Sequence, residues 1–248
     1  VFGSGYLANL GIIPSLVGPK DLIVVDELSH ACILAASKLS SAHVEIFKHN
    51  DTRHARHILK KLRSQHPHAM ILTDAVFSMD GDLAPLDELC VLAQTFDSWL
   101  MTDDAHGVGV LGAGRGSTFF EGAKVNVPLQ MGTLSKAIGS YGGYLCASRS
   151  VIDLMRTRAR TLIYSTGLPP AVIAASIAAL KIIEDDPKLA EKPLKNARLF
   201  AKVLGISKID SCIVPLVIGD PKQTLDASNL LEQEGYLVTA IRPPTVPE

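Results

Sequence analysis

The first 150 residues alternate short apolar runs with longer stretches of helical periodicity. The short runs are rich in β-branched and other apolar residues, which predicts strands at 22–25, 44–47, 70–73, 99–102, 129–131 and 144–147. Helical patterns lie between them at 31–39, 51–63 and 85–96, and Asp51 is placed to cap the second of these. Strands that alternate with helices predict an α/β fold, with a mostly parallel sheet covered by helices on both faces.

The pattern changes beyond residue 166. Residues 169–184 are alanine-rich and apolar nearly all round, which predicts a buried helix, and the turn residues at 185–187 end it. Strands are predicted at 213–218 and 236–240, with a helix at 224–234 between them. We therefore expect a large domain at 1–184 and the start of a smaller α/β domain at 185–248.

Both ends of the sequence look like positions at which a longer protein has been cut. The chain opens on a glycine turn, Gly3-Ser4-Gly5, with no element before it to pack against. It closes in an extended, proline-rich segment at 243–248, just after a predicted strand. We expect the large domain to be truncated at its N-terminus and the small domain at its C-terminus.

Composition and charge argue against several classes of function. The chain has 248 residues, of which 47% are hydrophobic and 5% aromatic, with 24 basic and 25 acidic side chains. This balance lacks the basic footprint of a nucleic-acid-binding protein. The longest run of small apolar residues, at 171–180, is too short to span a bilayer, so we expect no membrane partner. The four cysteines form no C-x-x-C pair and are typical of reduced thiols in a cytoplasmic protein.

A lysine lies in a loop of hydroxyl and small residues directly after the predicted strand at 129–131. The loop contains Thr133, Ser135 and Lys136 and ends in Gly142-Gly143. Glycines let the backbone approach a ligand closely, and the hydroxyls could donate to phosphate oxygens. A lysine shielded from water becomes a usable amine nucleophile for Schiff-base chemistry. A lone lysine in such a loop is more often a surface residue, so this interpretation depends on its neighbours.

Acidic residues follow the strand at 99–102. Asp103, Asp104 and His106 lie at its carboxyl end, where open α/β sheets bind ligands. An aspartate beside a pyridine nitrogen keeps that nitrogen protonated, so that the ring can withdraw electrons. His106 could donate to a phenolic oxygen of the same ring. A divalent metal site or a helix cap is the alternative, and metal is less favoured because the chain has no P-loop.

The segment Gly107-Val-Gly109-Val-Leu-Gly112 matches a dinucleotide-binding fingerprint in letters only. That motif opens a helix directly after the first strand of its fold. Here Ala113-Gly-Arg-Gly116 follows, a sequence that forms helices poorly. We therefore reject the match, and a nicotinamide-dependent dehydrogenase is the weakest of the candidate functions.

Three further segments could reach the same crevice. The turn at Gly3–Gly5 feeds Tyr6 into an apolar helical stretch, and a helix N-terminus of this kind binds anions such as phosphate. His30 begins the helix at 31–39, where a neutral imidazole could lie flat on an aromatic ring, although a simple cap is the commoner role. Ser78 follows another strand end. The other histidines, at 54, 57, 66 and 68, have no carboxylate nearby in sequence, so we expect solvated surface and no metal site.

With these motifs the chain resembles the α-oxoamine synthases, which are pyridoxal-phosphate enzymes of fold type I. The likeness rests on the segments at 4–6, 26–31, 48–51, 76–82, 103–107, 133–139 and 164–170. It implies pyridoxal 5'-phosphate as cofactor, a cytoplasmic homodimer with shared active sites, and a Schiff base at Lys136. The residues implied to bind the cofactor are Gly5, Tyr6, His30, Ser78, Asp103, His106, Thr133, Lys136 and Thr166, and those implied in catalysis are Lys136, His30, Asp103 and His106.

The stretch at 239–247 is most like one branch of the family, which condenses L-alanine with a pimeloyl thioester and releases carbon dioxide. By this resemblance, Lys136 removes the α-proton, and Lys136 or His30 handles the last one. The thioester carrier is coenzyme A or an acyl carrier protein. The arginine that grips the substrate carboxylate in the family is expected beyond Glu248. The alternatives are a glycine-using relative such as a glycine C-acetyltransferase, an aminotransferase on the same fold, and an inactive cofactor-binding homologue or fragment.

Overall fold

A computed structural model of the protein describes residues 1–122 and 124–246. Strands and helices alternate through the first two thirds of the chain. The strands are β1 (Leu22–Asp26), β2 (His43–Phe47), β3 (Ala69–Asp74), β4 (Trp99–Asp103), β5 (Leu129–Thr133) and β6 (Gly143–Cys146). The helices are α1 (Gly5–Leu16), α2 (Ala31–Ser40), α3 (Thr52–Leu62), α4 (Leu86–Thr95), α5 (Arg149–Arg158), α6 (Arg160–Ile163), α7 (Pro170–Asp185), α8 (Pro187–Val203) and α9 (Pro221–Gln233).

The six strands form one sheet in the order β2-β1-β3-β4-β5-β6. All neighbours are parallel except β5 and β6, which are antiparallel. The predicted mostly parallel sheet is therefore confirmed. The order reverses between β1 and β3, and in open α/β sheets ligands bind outside the carboxyl ends of the strands at such a point.

Alternating residues of the strands fill two cores, one on each face of the sheet. In β1, Leu22 and Val24 point into a core built with α3 and α4. Ile23 and Val25 point the opposite way, into a core built with α1 and α2. All four side chains are fully buried. Because side chains alternate across a strand, an unbroken apolar run gives a strand that is covered on both faces.

The caps of the helices follow from the sequence. Asp51 accepts hydrogen bonds from the backbone N–H groups of Arg53 and His54 and begins α3, as predicted. Ser4 caps α1 in the same way, through the N–H of Leu7. After Gly112 the chain forms only a short 3₁₀ turn in which Ala113 has a φ of 55°, so the rejected dinucleotide motif indeed lacks its helix.

The C-terminal third departs from the predictions. No strand forms at 213–218 or at 236–240, and both predictions were wrong; a strand needs a hydrogen-bonded neighbour, and neither segment pairs with one within the described residues. Helix α7 was predicted to be buried, but among its described residues only Ser176 is buried. The break at 185–187 and the helix near 224–234 are confirmed. The domain boundary at 184 remains a prediction.

None of the helices in the described part of the chain combines the length and the apolar character that crossing a bilayer requires.

Candidate active site

Four parallel strands deliver polar side chains to one edge of the sheet. Their carboxyl ends are Asp26 of β1, Asp74 of β3, Asp103 of β4 and Thr133 of β5. Because parallel strands all end at the same edge, the loops that follow them meet there. These loops carry the candidate residues at positions 30, 78, 106 and 136, so the fold brings most of the predicted site to one crevice.

Asp103 is held in place by two hydrogen bonds. The side-chain amide of Asn9 donates to its Oδ2 at 2.8 Å, and the backbone N–H of Ala105 donates to its Oδ1 at 3.0 Å. The carboxyl group is 5% exposed, and its burial raises its pKa, whereas the hydrogen bonds and the Lys136 ammonium oppose that rise. A buried, oriented carboxylate of this kind can pair with a protonated ring nitrogen.

Asp104 is bound to the loop at residue 117. Its carboxylate accepts a hydrogen bond from the backbone N–H of Ser117 at 2.9 Å and another from the Ser117 hydroxyl. Burial raises its pKa to about 6. The two adjacent acids therefore differ in their partners, since Asp104 fastens the loop at 117 and Asp103 is bound by Asn9 and Ala105.

Lys136 lies in a tight turn after β5. The backbone N–H of Gly139 donates to the Lys136 carbonyl at 2.9 Å. Its ammonium is close enough to act on the pKa values of Asp103, Asp74 and His106, so the predicted amine and carboxylate belong to one electrostatic site. The side chain is exposed to solvent, whereas the sequence analysis invoked a lysine shielded from water.

His106 is half-buried beside this lysine. Burial, together with the positive charge of Lys136, lowers its pKa to about 4. The ring is therefore neutral at physiological pH and has one N–H to donate. This agrees with its expected role as a hydrogen-bond donor to a ring oxygen.

His30 is the N-cap of α2 and is tied to two neighbours. Its backbone N–H donates to Asp74 Oδ2 at 2.7 Å. Its ring Nδ1 accepts from the backbone N–H of Cys32 at 3.2 Å and lies 2.8 Å from the Cys32 Sγ. The rest of the ring is exposed at the crevice, which suits the predicted stacking on a flat ligand.

The turn before α1 packs directly on the lysine loop. A Cβ atom added at Gly5 would lie 3.4 Å from the Cβ of Thr133, and one added at Gly143 would lie only 2.5 Å from the Ser4 carbonyl oxygen. The hydroxyl of Thr133 donates to the Gly142 carbonyl at 2.9 Å. The N–H groups in the first turn of α1 thus lie beside Thr133, as a phosphate site requires.

Three of the predicted site residues are exposed or only half-buried. Tyr6 lies in the first turn of α1 and is 49% exposed. Ser78 is half-buried in the loop after β3. Thr166 is exposed in the segment before α7, and no hydrogen bond among the described residues connects it to the crevice. Its contact with a cofactor in a partner subunit stays a prediction.

Sequence reasoning missed the roles of Asn9, Asp74 and His49. Ring nitrogens Nδ1 and Nε2 of His49 lie 3.0 Å from Asp26 and 2.8 Å from Asp82, so one imidazole joins the loops after β1 and β3. Its ring packs edge-on against Phe77. His49 lies in the segment 48–51 and Asn9 in the apolar helical stretch after Tyr6, but only their contacts across the fold show which residues they hold in place.

Known proteins resemble the chain throughout its length. The family model described as aminotransferase class I and II matches residues 1–248. The chain is 62% identical over 247 residues to 8-amino-7-oxononanoate synthase of Methylocella silvestris, covering all of this chain and 70% of that protein. It is 60% identical over 247 residues to 8-amino-7-oxononanoate synthase of Maricaulis maris, covering all of this chain and 63% of that protein.

Solved structures resemble the fold as well. A variant of serine palmitoyltransferase from S. paucimobilis, with PLP and myriocin bound, superposes with a TM-score of 0.93 at 30% identity. The match covers 100% of this chain and 64% of that one. The chain likewise spans 63% to 70% of the length of the curated relatives given above.

Proposed function

Because the chain belongs to the aminotransferase class I and II family, we propose that it carries the cofactor site of a pyridoxal-phosphate enzyme. The proposed reaction is the condensation of L-alanine with a pimeloyl thioester to 8-amino-7-oxononanoate, a step of biotin synthesis. Identities of 60% and 62% to proteins with that name support this choice over glycine-using relatives. The serine palmitoyltransferase neighbour with PLP bound supports the cofactor.

The observation that carries the proposal is the relation between Asp103 and Lys136. The carboxylate of Asp103 is buried and oriented by two hydrogen bonds, and the charge of the exposed Lys136 amine lowers its pKa. This is the pair that a pyridoxal ring needs, with an anion for its nitrogen and an amine for its aldehyde. Gly5 has no side chain, so its backbone lies close to Thr133 and its neighbouring N–H groups can meet the phosphate.

Pyridoxal phosphate, when bound, supplies an aldehyde for amines and a ring that withdraws electrons from the α-carbon of an amino acid. Asp103 would keep the ring nitrogen protonated, because the ion pair favours the charged form. Neutral His106 would donate its N–H toward the ring oxygen, and Ser78 would assist it. Thr133 and the first turn of α1 would hold the phosphate.

Lys136 moves the protons. The Lys136 amine would accept the α-proton of L-alanine when it is not bonded to the cofactor. The overall reaction would join the α-carbon of alanine to the acyl carbon of the thioester, with release of the thiol and of the alanine carboxylate as carbon dioxide. Lys136 would then return a proton to the same carbon.

The finer features follow from the same proposal. The enzyme acts as a cytoplasmic homodimer, in which Thr166 reaches the phosphate of the partner subunit. Its acyl donor is carried by coenzyme A or by an acyl carrier protein. The exposed apolar residues of α7, Ile173 and Ile177 among them, suit a surface that is covered in an assembly.

The test is turnover by the whole protein that contains this chain, supplied with pyridoxal phosphate, L-alanine and pimeloyl-coenzyme A. We expect carbon dioxide, free thiol and 8-amino-7-oxononanoate in equal amounts. Replacing alanine by glycine should abolish most of the product. Pyruvate formed from alanine without any thioester would instead identify an aminotransferase, and bound cofactor without any product would identify an inactive homologue.

A further inference from the structure

We infer that Cys32 is a positioning residue, whose thiol joins His30 to Asn9 and holds the His30 ring with its proton on Nε2. The inference rests on the proposed function in one respect, namely that His30 and Asp103 face the same ligand. It adds a residue to which neither the sequence motifs nor the relatives' names give a role. It also decides which proton-transfer role remains open to His30.

The first step concerns the Nδ1 atom of His30. The backbone N–H of Cys32 donates to this atom at 3.2 Å, as expected for an N-cap residue. A nitrogen that accepts a hydrogen bond must offer a lone pair, so Nδ1 carries no proton. The neutral ring then carries its proton on Nε2, at the exposed end.

The second step concerns the Cys32 thiol. Its sulfur lies 3.0 Å from the amide nitrogen of Asn9 and 2.8 Å from Nδ1 of His30. The Asn9 amide nitrogen can only donate, so the sulfur accepts there, and its S–H is left to donate to Nδ1, where it shares the single lone pair with the Cys32 N–H. The side chain is 2% exposed, and burial is the main cause that raises its pKa to about 12. The donor is therefore a thiol throughout the physiological range.

The third step is the remaining hydrogen of Asn9. The fully buried amide has two hydrogens, and the second goes to Asp103 Oδ2 at 2.8 Å. An unbroken series of hydrogen bonds thus runs from His30 through Cys32 and Asn9 to Asp103. One buried amide orients both the carboxylate proposed for the ring nitrogen and, through the thiol, the imidazole proposed for the ring face.

This arrangement narrows the role of His30. A ring with its proton on Nε2 presents a hydrogen-bond donor at its exposed end, so it can donate a hydrogen bond or lie over a ligand ring, but it cannot act as a base through Nε2. Removal of the α-proton is therefore left to Lys136, and His30 serves to position the ligand.

A nuclear magnetic resonance experiment tests the tautomer without any substrate. In the whole protein labelled with ¹⁵N-histidine, His30 is assigned by its loss in a His30→Gln variant. We expect the neutral form of the ring to carry its proton on Nε2. A ring protonated on Nδ1 overturns the inference, and this readout is independent of whether the enzyme turns over.

Three substitutions separate positioning from packing. Cys32→Ser keeps a group that donates and accepts, Cys32→Val fills the volume without either, and Cys32→Ala leaves a cavity. We measure exchange of the alanine α-proton for deuterium by the holoenzyme. Loss of one ordinary hydrogen bond predicts a rate about fivefold lower in Val and Ala, with Ser within about twofold of the wild type.

The opposite pattern would sink the inference. If Cys32→Val matched the wild type and Cys32→Ser did not, Cys32 would be a packing residue. Should Cys32→Val fail to fold, the difference between Cys32→Ser and Cys32→Ala still decides the question, because only serine restores a group that donates and accepts. An Nε2-protonated His30 in a protein that makes no product would leave the inference standing and refute only the proposed function.

Discussion

Asp74 and Asp103 lie directly opposite each other at the ends of the adjacent parallel strands β3 and β4. They are 7% and 5% exposed. Burial, followed by the neighbouring Asp103 charge, raises the pKa of Asp74 well above its ordinary value, whereas the Lys136 ammonium lowers it. Two carboxylates in this position resist ionising together, so the site favours an added positive charge. A protonated ring nitrogen would supply one.

The first prediction concerns Asp74→Asn. Because the folded-state pKa of Asp74 is raised, its cost to stability is absent below its ordinary value of 3.8 and accumulates as the pH rises toward the raised value. The amide removes this cost and can still accept from the His30 N–H. We expect the free energy of unfolding to increase by about 1 kcal/mol at neutral pH and not at about pH 4.

Urea unfolding at several pH values measures this effect. Asp80→Asn, at an exposed position in the segment between β3 and α4, serves as the control and should leave the free energy of unfolding unchanged. A loss of stability in Asp74→Asn at neutral pH would contradict the proposed repulsion.

The second prediction concerns Asn9→Ala. The hydrogen bond from Asn9 lowers the pKa of Asp103, so its removal lets burial raise that pKa further. The ionised form of Asp103 is the one that pairs with a ring nitrogen. Cofactor affinity should therefore fall about tenfold, and the fall with decreasing pH should begin at a higher pH than in the wild type.

Titration with pyridoxal phosphate, followed by absorbance, measures the affinity. Ser15→Ala is a matched control on the same helix, because among the described residues its hydroxyl bonds only to the Gly11 carbonyl, within α1. Equal affinities in the Asn9 variant and the wild type would show that the amide does not support Asp103.

The third prediction concerns His49→Gln. Burial alone would lower the pKa of His49, but hydrogen bonds to Asp26 and Asp82 outweigh it and the pKa is raised above 6.5. The protonated ring can donate to both carboxylates. Its contribution to stability is therefore complete below about pH 6.5 and is lost as the pH rises through the raised value. We expect a loss of about 2 kcal/mol at about pH 6, shrinking at alkaline pH.

Thermal or urea unfolding across this pH range provides the measurement. His57→Gln, on the exposed face of α3, is the control and should show no pH-dependent difference. A constant loss at every pH would mean that the imidazole contributes through packing on Phe77 and not through its charge.

The fourth prediction concerns Lys136→Ala. Without the amine, added pyridoxal phosphate should give no visible band that borohydride bleaches, and deuterium exchange at the α-carbon of alanine should stop. Lys20→Ala, which removes an exposed lysine far from Lys136 in the sequence, should keep both signals. A Lys136 variant that retains the bleachable band would remove the lysine from its proposed role.

The sequence predicted the local parts of this site well. Apolar runs placed all six strands within a few residues, because burial on both faces leaves a strong signal. The Asp51 cap could also be predicted, because it depends on residues that are neighbours in the sequence. The bond from Asn9 to Asp103 was not, since 94 positions separate them and no spacing rule reports such a contact.

The exposure of helix α7 could not be predicted either. Its composition signals burial, yet burial depends on what lies against it, and within the described residues most of its apolar side chains face solvent. The segments at 213–218 and 236–240 fail for a related reason. Their β-branched residues favour extended backbone, but a strand exists only when another strand accepts its hydrogen bonds.

The pairing of Phe2 with Gly143 has a consequence for the whole crevice. Their backbones exchange hydrogen bonds of 2.7 and 2.9 Å, and the added Cβ at Gly143 would strike the Ser4 carbonyl. The edge strand β6 therefore holds both the turn before α1 and the lysine loop in position. A mutation that moves this edge would change the distance between the phosphate site and the Lys136 amine. It would therefore weaken both contacts to the ligand, even though it lies far from the ligand.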